Sequence, residues 1–174
     1  MTRIDFHFNT SDKLAYACRL LRKAYRSNTR VWVCCRDAHQ RDRLDRLLWT
    51  FAPLEFIPHV AAGHRLAVQT PIVLADTLEG SEDWRVAVHL GDQVPEGFSS
   101  FERWIEVVAS DEEDRLLARA RWSYFKSHGY PMQRFDQQKV QERESPHSRP
   151  QAAGPADAPL GRVAPEAKAS SLIG

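Results

Sequence analysis

The sequence has no run of 18 apolar residues and no hydrophobic N-terminal segment, so neither a membrane span nor a secretory signal is expected, and the cytoplasm is the expected compartment. Cysteine is scarce. The three cysteines, Cys18, Cys34 and Cys35, lack C-x-x-C spacing, which argues against a disulfide framework or a zinc ribbon and for buried thiols. Glycine is missing where a nucleotide enzyme would need it. The first strand runs into FNTSDKLAYAC, with no G-x-G-x-x-G to let the backbone approach a pyrophosphate, and neither a G-x-x-x-x-G-K-[ST] loop nor a G-x-S-x-G elbow occurs elsewhere. His59 and His64 flank a loop, but no H-x-x-x-H or H-E-x-x-H spacing joins them to His7 or His89. No metal site and no cofactor are therefore expected. A strong charge of either sign is absent too. Lys and Arg number 24 against 23 Asp and Glu, a net charge of +1, so the chain does not carry the overall footprint of a protein that grips nucleic acid unaided.

What is present fits one globular domain. The chain has 174 residues, 43% of them apolar, enough for one substantial core but not comfortably for two. From about Gln137 the text becomes rich in Pro, Ala, Gly, Ser and charge, without an aromatic residue. Such a segment cannot bury enough apolar surface to offset its chain entropy, so residues 1–136 are expected to form the domain and 137–174 a disordered tail.

Within the domain, strand and helix patterns alternate. RIDFHF alternates Ile4, Phe6 and Phe8 against polar neighbours, and Asn9, Thr10 or Ser11 is placed to cap a helix with a face of Leu14, Ala17, Cys18, Leu21 and Tyr25. VWVCC reads as a strand covered on both faces, followed by a helix from the cap Asp37 to about Trp49. IVLA, RVAVHL and WIEVVA are three further strands. A last helix begins at Ser110 or Asp111 and stops before Gly129. Alternation of this kind predicts an α/β fold: a Rossmann-like three-layer sandwich with a mainly parallel sheet, helices on both faces and no nucleotide-binding glycine loop.

Three features remain as candidates for chemistry. Cys34 and Cys35, with His39 nearby, could be drawn as a thiolate and its base, which makes a small α/β enzyme the alternative function; small apolar residues ending a buried strand explain the same thiols more simply. On the second helix Leu44, Leu47 and Leu48 cluster on one side. Trp49 falls about 120° from Asp37 at roughly 100° per residue, off the leucine face, and the following PLEFIPH supplies Phe56 between two stiffening prolines. On the last helix Leu116, Leu117, Ala120 and Tyr124 form the expected core stripe. Arg115, Arg119, Trp122 and Lys126 share the opposite side within about 60°, three cations around an indole. Such a face suits an acidic peptide with an apolar end, or single-stranded nucleic acid. The carboxylates of SDEED are explained by capping.

RLDRLLW followed by EFIPH-x-x-A-G, with LARARWSYFKSHGY after an acidic helix start, resembles the chi subunit family of bacterial DNA polymerase III over residues 1–135. The resemblance implies a Rossmann-like fold without nucleotide or catalysis, and a clamp-loader-associated accessory subunit in the replisome. It implies two partners, the psi subunit and the acidic C-terminal tail of single-stranded DNA-binding protein (SSB), with DNA contacted only indirectly and no membrane. Carried over by position, Trp49, Phe56, Pro58 and His59 match the psi-facing surface, and Arg115, Arg119, Trp122 and Gly129 match the tail-binding positions. Trp122 stands where a tyrosine is common, and Ser123 replaces a basic residue that Lys126 is expected to substitute. The extension after Gln137 has no counterpart in the resemblance.

Overall fold

A computed structural model describes residues 1–138, so the expected tail lies, from residue 139 onward, outside the described residues. Strand β1 (Arg3–Thr10) leads into helix α1 (Lys13–Arg26), and β2 (Val31–Cys34) into α2 (Ala38–Thr50). Three short strands follow, β3 (His59–Ala61), β4 (Ile72–Ala75) and β5 (Val86–His89), then β6 (Arg103–Ala109), α3 (Glu112–Ser127) and β7 (Met132–Asp136). All pairings are parallel, in one seven-stranded sheet of order β3-β4-β2-β5-β6-β1-β7. Leu14, Ala17, Cys18 and Leu21 of α1 and Leu44 and Leu48 of α2 close one face, while Ala118 and Phe125 of α3 close the other. This is the Rossmann-like three-layer arrangement expected, with every strand parallel.

Local chemistry explains where the elements begin. Asp12 starts α1 by accepting the Ala15 N–H at 2.9 Å. The expected caps Asn9 and Thr10 do not serve, because β1 runs on to pair Thr10 with Ala109, and the Thr10 hydroxyl is taken by the Val108 carbonyl. Asp37 and Asp111 cap α2 and α3 as the sequence indicates. Gly129 takes φ +73° just past the end of α3, the left-handed conformation that lets the chain leave the helix. Tyr25 is 40% exposed. The α1 stripe continues from Leu21 through Ala24, one helical turn on, rather than through Tyr25. Two strands escape sequence pattern altogether: β3, only three residues long, and the edge strand β7, whose outward side chains do not alternate cleanly.

The last helix is rotated from its expected seat. Leu116 is 55% exposed and Tyr124 40%, Ala120 faces solvent and Leu117 is only half buried. The row that meets the sheet is Asp114, Ala118, Arg121 and Phe125, about 100° round from the expected stripe. A charge is the cause. Glu106 points from β6 into the layer under α3 with no solvent access, and its carboxylate accepts from Arg121 Nε at 2.8 Å, from the Trp104 indole at 2.7 Å and shares a 2.9 Å contact with His89 Nδ1. Arg121 also donates to the Asp92 carbonyl at 2.8 Å, tying the loop after β5 to α3. At the start of α3, Asp114 accepts the Ala109 N–H and both ion-pairs and hydrogen-bonds Lys13 of α1 at 3.0 Å. Even Gly91 is set by this cluster, since a Cβ there would lie 2.7 Å from His89 Nε2.

Burial alone would raise the Glu106 pKa, but the His89 and Arg121 charges and the hydrogen bonds from His89 and Trp104 outweigh it and hold the carboxyl well below the ordinary range. A carboxyl whose folded pKa is depressed contributes stability that is present above its unfolded value and is lost as pH falls through the folded value. Glu106→Gln is therefore expected to lower unfolding free energy at pH 7 by about 3 kcal/mol, because the buried Arg121 loses its nearest counter-charge and keeps only Asp114, 4.0 Å away. It should also flatten the loss of stability below pH about 4.5, the ordinary carboxyl value. Urea unfolding from pH 7 to pH 3 measures both; equal stability of the two proteins at pH 7 would refute the account.

Candidate functional site

Two surfaces on opposite ends of the sheet gather the residues that the sequence singles out. The first lies at the β3 edge. Trp49, at the last turn of α2, is 60% exposed and Phe56 62% exposed, with ring centroids 5.4 Å apart. His59 is buried beneath them, its ring 5.3 Å from the Trp49 ring in an edge contact, its Nδ1 2.7 Å from the Ile57 carbonyl and its Nε2 3.4 Å from Asp45 without hydrogen-bond geometry. Pro58 is half buried. His59 therefore supports the ledge from below. The loop carrying Phe56 is held in place by Glu55, which pairs with Arg22 and Arg26 of α1; hydrogen bonds from Arg22 and then Arg26 bring its carboxyl down to about 2. Leu54, 99% exposed in the same loop, extends the apolar surface and has no periodic signal to reveal it.

The second surface is a groove of about 350 Å³ between α3 and the strands β1 and β7. Its floor is apolar, made of Phe6, Phe8, Val108 and Ala118, with Trp122 as one wall. The Trp122 ring meets Phe6 edge-on at 4.9 Å, so it is half buried rather than the exposed indole that helical geometry implied. Arg115 and Arg119 stand on the rim. Both approach Glu112 of the same helix, at 3.9 and 3.3 Å, and both remain largely exposed. Arg134 of β7 supplies a third cation, its guanidinium carbon 5.4 Å from the Trp122 ring centroid and 5.0 Å from that of Phe8. Sequence reasoning missed Arg134 because β7 itself was missed. Two expected members do not line the groove: Lys126 is exposed about one turn beyond Trp122, and Gly129 acts as the helix stop.

The groove differs in kind from the crevice at the carboxyl ends of the strands, where this class of fold usually holds its ligand. That crevice, about 410 Å³, lies at the starts of all three helices. The position a phosphate oxygen would take at each is filled by the chain's own carboxylate: Asp12 on Ala15 N, Asp37 on Gln40 N at 2.7 Å and Asp111 on Asp114 N at 2.9 Å. Lys13, Arg36 and Arg43 face Asp12, Asp92, Asp111, Glu113 and Asp114 there, so an added anion meets more negative charge than positive.

His39 lines this crevice and makes no hydrogen bond to Cys34 or Cys35 among the described residues. Both thiols are buried, and burial pushes each up to about 12. The thiolate needed for nucleophilic chemistry is thus disfavoured in the folded domain. The three cysteines are expected to resist an aromatic disulfide reagent at pH 8 in the native protein and to react together once the domain is unfolded in guanidinium; rapid native labelling of Cys34 or Cys35 would contradict this assignment.

With the groove and the ledge in place, comparison with known proteins is direct. Residues 1–133 match the family model described as "DNA polymerase III chi subunit, HolC". The chain is 32% identical to DNA polymerase III subunit chi of Pseudomonas aeruginosa over 137 residues, 76% of this chain and 95% of the relative. It is 28% identical to subunit chi of Haemophilus influenzae over 115 residues, 66% of this chain and 80% of the relative, and 26% identical to that of Escherichia coli over 114 residues, 65% and 78%. The family match spans both α3 and the β3 edge. The chain belongs to the DNA polymerase III chi subunit family.

Proposed function

We propose that this subunit is a non-catalytic adaptor of the replicase, joining the clamp loader through psi on the Trp49 ledge to the C-terminal tail of single-stranded DNA-binding protein in the α3 groove. The observation that carries the reading is the composition of that groove: three arginines around a hollow floored by Phe6 and Phe8 and walled by Trp122. An acidic peptide that ends in an apolar residue answers both halves, its carboxylates meeting guanidinium groups and its last side chain meeting the rings. A polynucleotide fits less well. Only three cations converge here and the chain as a whole is near neutral, so contact with DNA is indirect. At the other end, Trp49, Phe56 and Leu54 expose apolar area that the domain's own sheet does not cover, the composition of an aromatic anchor for a protein partner.

Within the groove, Arg119 is placed to grip the peptide's terminal carboxylate in a bidentate contact. Calorimetric titration with a synthetic acidic tail peptide tests this. Arg119→Ala is expected to weaken binding by about 1.5–3 kcal/mol, the range for hydrogen bonds to charged groups, and affinity should fall with added salt because the rim is exposed. Equal affinity in the variant, or equal binding of a peptide lacking its final residue, would remove α3 as the docking site.

Trp49→Ala should weaken binding of the psi subunit by about 2 kcal/mol or more, as for a central anchor, and leave tail-peptide affinity unchanged. The domain should remain folded because the indole is mostly in solvent. Undiminished psi binding by the folded variant would overturn the ledge assignment.

A further inference from the structure

We infer that Arg134, on the edge strand β7, is a specificity-determining residue of the α3 groove, reading an acidic side chain of the bound peptide separately from its terminal carboxylate. The inference rests on the peptide reading above. Its basis is that the three cations of the groove are not equivalent. Arg115 and Arg119 project from α3 and share one carboxylate, Glu112, which neutralises part of their field. Arg134 comes from the other wall and makes no ion pair among the described residues. It is held instead by two aromatic rings, Phe8 at 5.0 Å and Trp122 at 5.4 Å, both within the reach of a cation–π contact.

That environment does two things. Cation–π contact with two rings holds the guanidinium without consuming its hydrogen-bond donors, which stay available for a carboxylate. Because Arg134 and Arg119 stand on opposite walls, β7 and α3, of the same hollow, an extended peptide whose last apolar side chain enters between Phe6, Phe8 and Trp122 passes between them. The terminal carboxylate goes to the helix side. A carboxylate from an aspartate or glutamate nearer the start of the peptide goes to the strand side. The groove thereby selects acidic peptides over equally apolar neutral ones, a discrimination that Arg119 alone would not give.

The test uses the full chain and three versions of one synthetic peptide: acidic, with the aspartates replaced by asparagines, and acidic with an amidated C-terminus. Arg134→Gln should weaken the acidic peptide about tenfold or more, the effect of losing a charge-assisted hydrogen bond. It should leave the asparagine peptide's affinity unchanged and still cost the amidated peptide the same factor. Arg119→Gln should show the reverse pattern, losing its effect on the amidated peptide. Arg134→Lys should recover only part of the affinity, since an ammonium keeps the charge but not the planar guanidinium. Equal losses for the acidic and asparagine peptides in Arg134→Gln, or no loss at all while Arg119→Ala still weakens binding, would overturn the role of Arg134 and leave the adaptor reading standing. Failure of the unmodified chain to bind the acidic peptide would remove both.

Discussion

The carboxylate of Glu106 is the point on which the arrangement turns. It is buried without solvent access in the middle of a parallel sheet, and it is tolerable there only because Arg121, His89 and Trp104 converge on it. Arg121 belongs to α3, so this requirement sets the rotation of that helix against the sheet. Once Arg121 faces inward, Arg115, Arg119 and Trp122 are carried to the side nearest β1 and β7, and the groove exists. A buried ion pair adds little net stability against an apolar replacement, but breaking one is costly, and that asymmetry makes it suited to fixing one orientation rather than strengthening the fold.

The same logic accounts for what this Rossmann-like fold does not offer at the usual place. Three helix N-termini meet at the carboxyl ends of the strands, a natural anion site, and each is capped by an aspartate from its own chain. Two other surfaces stand out instead: the aromatic ledge at one edge of the sheet and the cationic groove at the other. They lie at opposite ends of a seven-stranded sheet, the separation that the adaptor proposed above would need to hold two partners apart. The free thiols at the end of β2 are buried, and burial pushes their pKa values up.

Much of the fold was legible in the sequence because it depends on short-range rules. The absence of phosphate-binding glycines, the short apolar runs of β2 and β4, the caps Asp37 and Asp111 and the stop at Gly129 are each decided within a few residues, and helical spacing correctly put Trp49 off the leucine face. The candidate residues Arg115, Arg119 and Trp122 were likewise found as neighbours on one helix, three and four residues apart.

Only the tertiary structure decided which side of α3 is buried. Hydrophobic periodicity counts Leu116, Leu117 and Tyr124 as core and Arg121 and Asp114 as surface, because it cannot know that Glu106 and Lys13 wait beneath them, 15 and 101 residues away in the chain. Arg134 was hidden for a related reason: a five-residue edge strand of mixed polarity has no pattern of its own and takes its conformation from pairing with β1. The sequence by itself determined all the elements but β3 and β7, their order and the lack of a nucleotide loop, all set by local sterics and hydrogen bonding. The pairing of distant charges, and with it the composition of the groove, came from the tertiary structure, since a buried carboxylate is stabilised by whatever the fold brings to it and not by its neighbours in the chain.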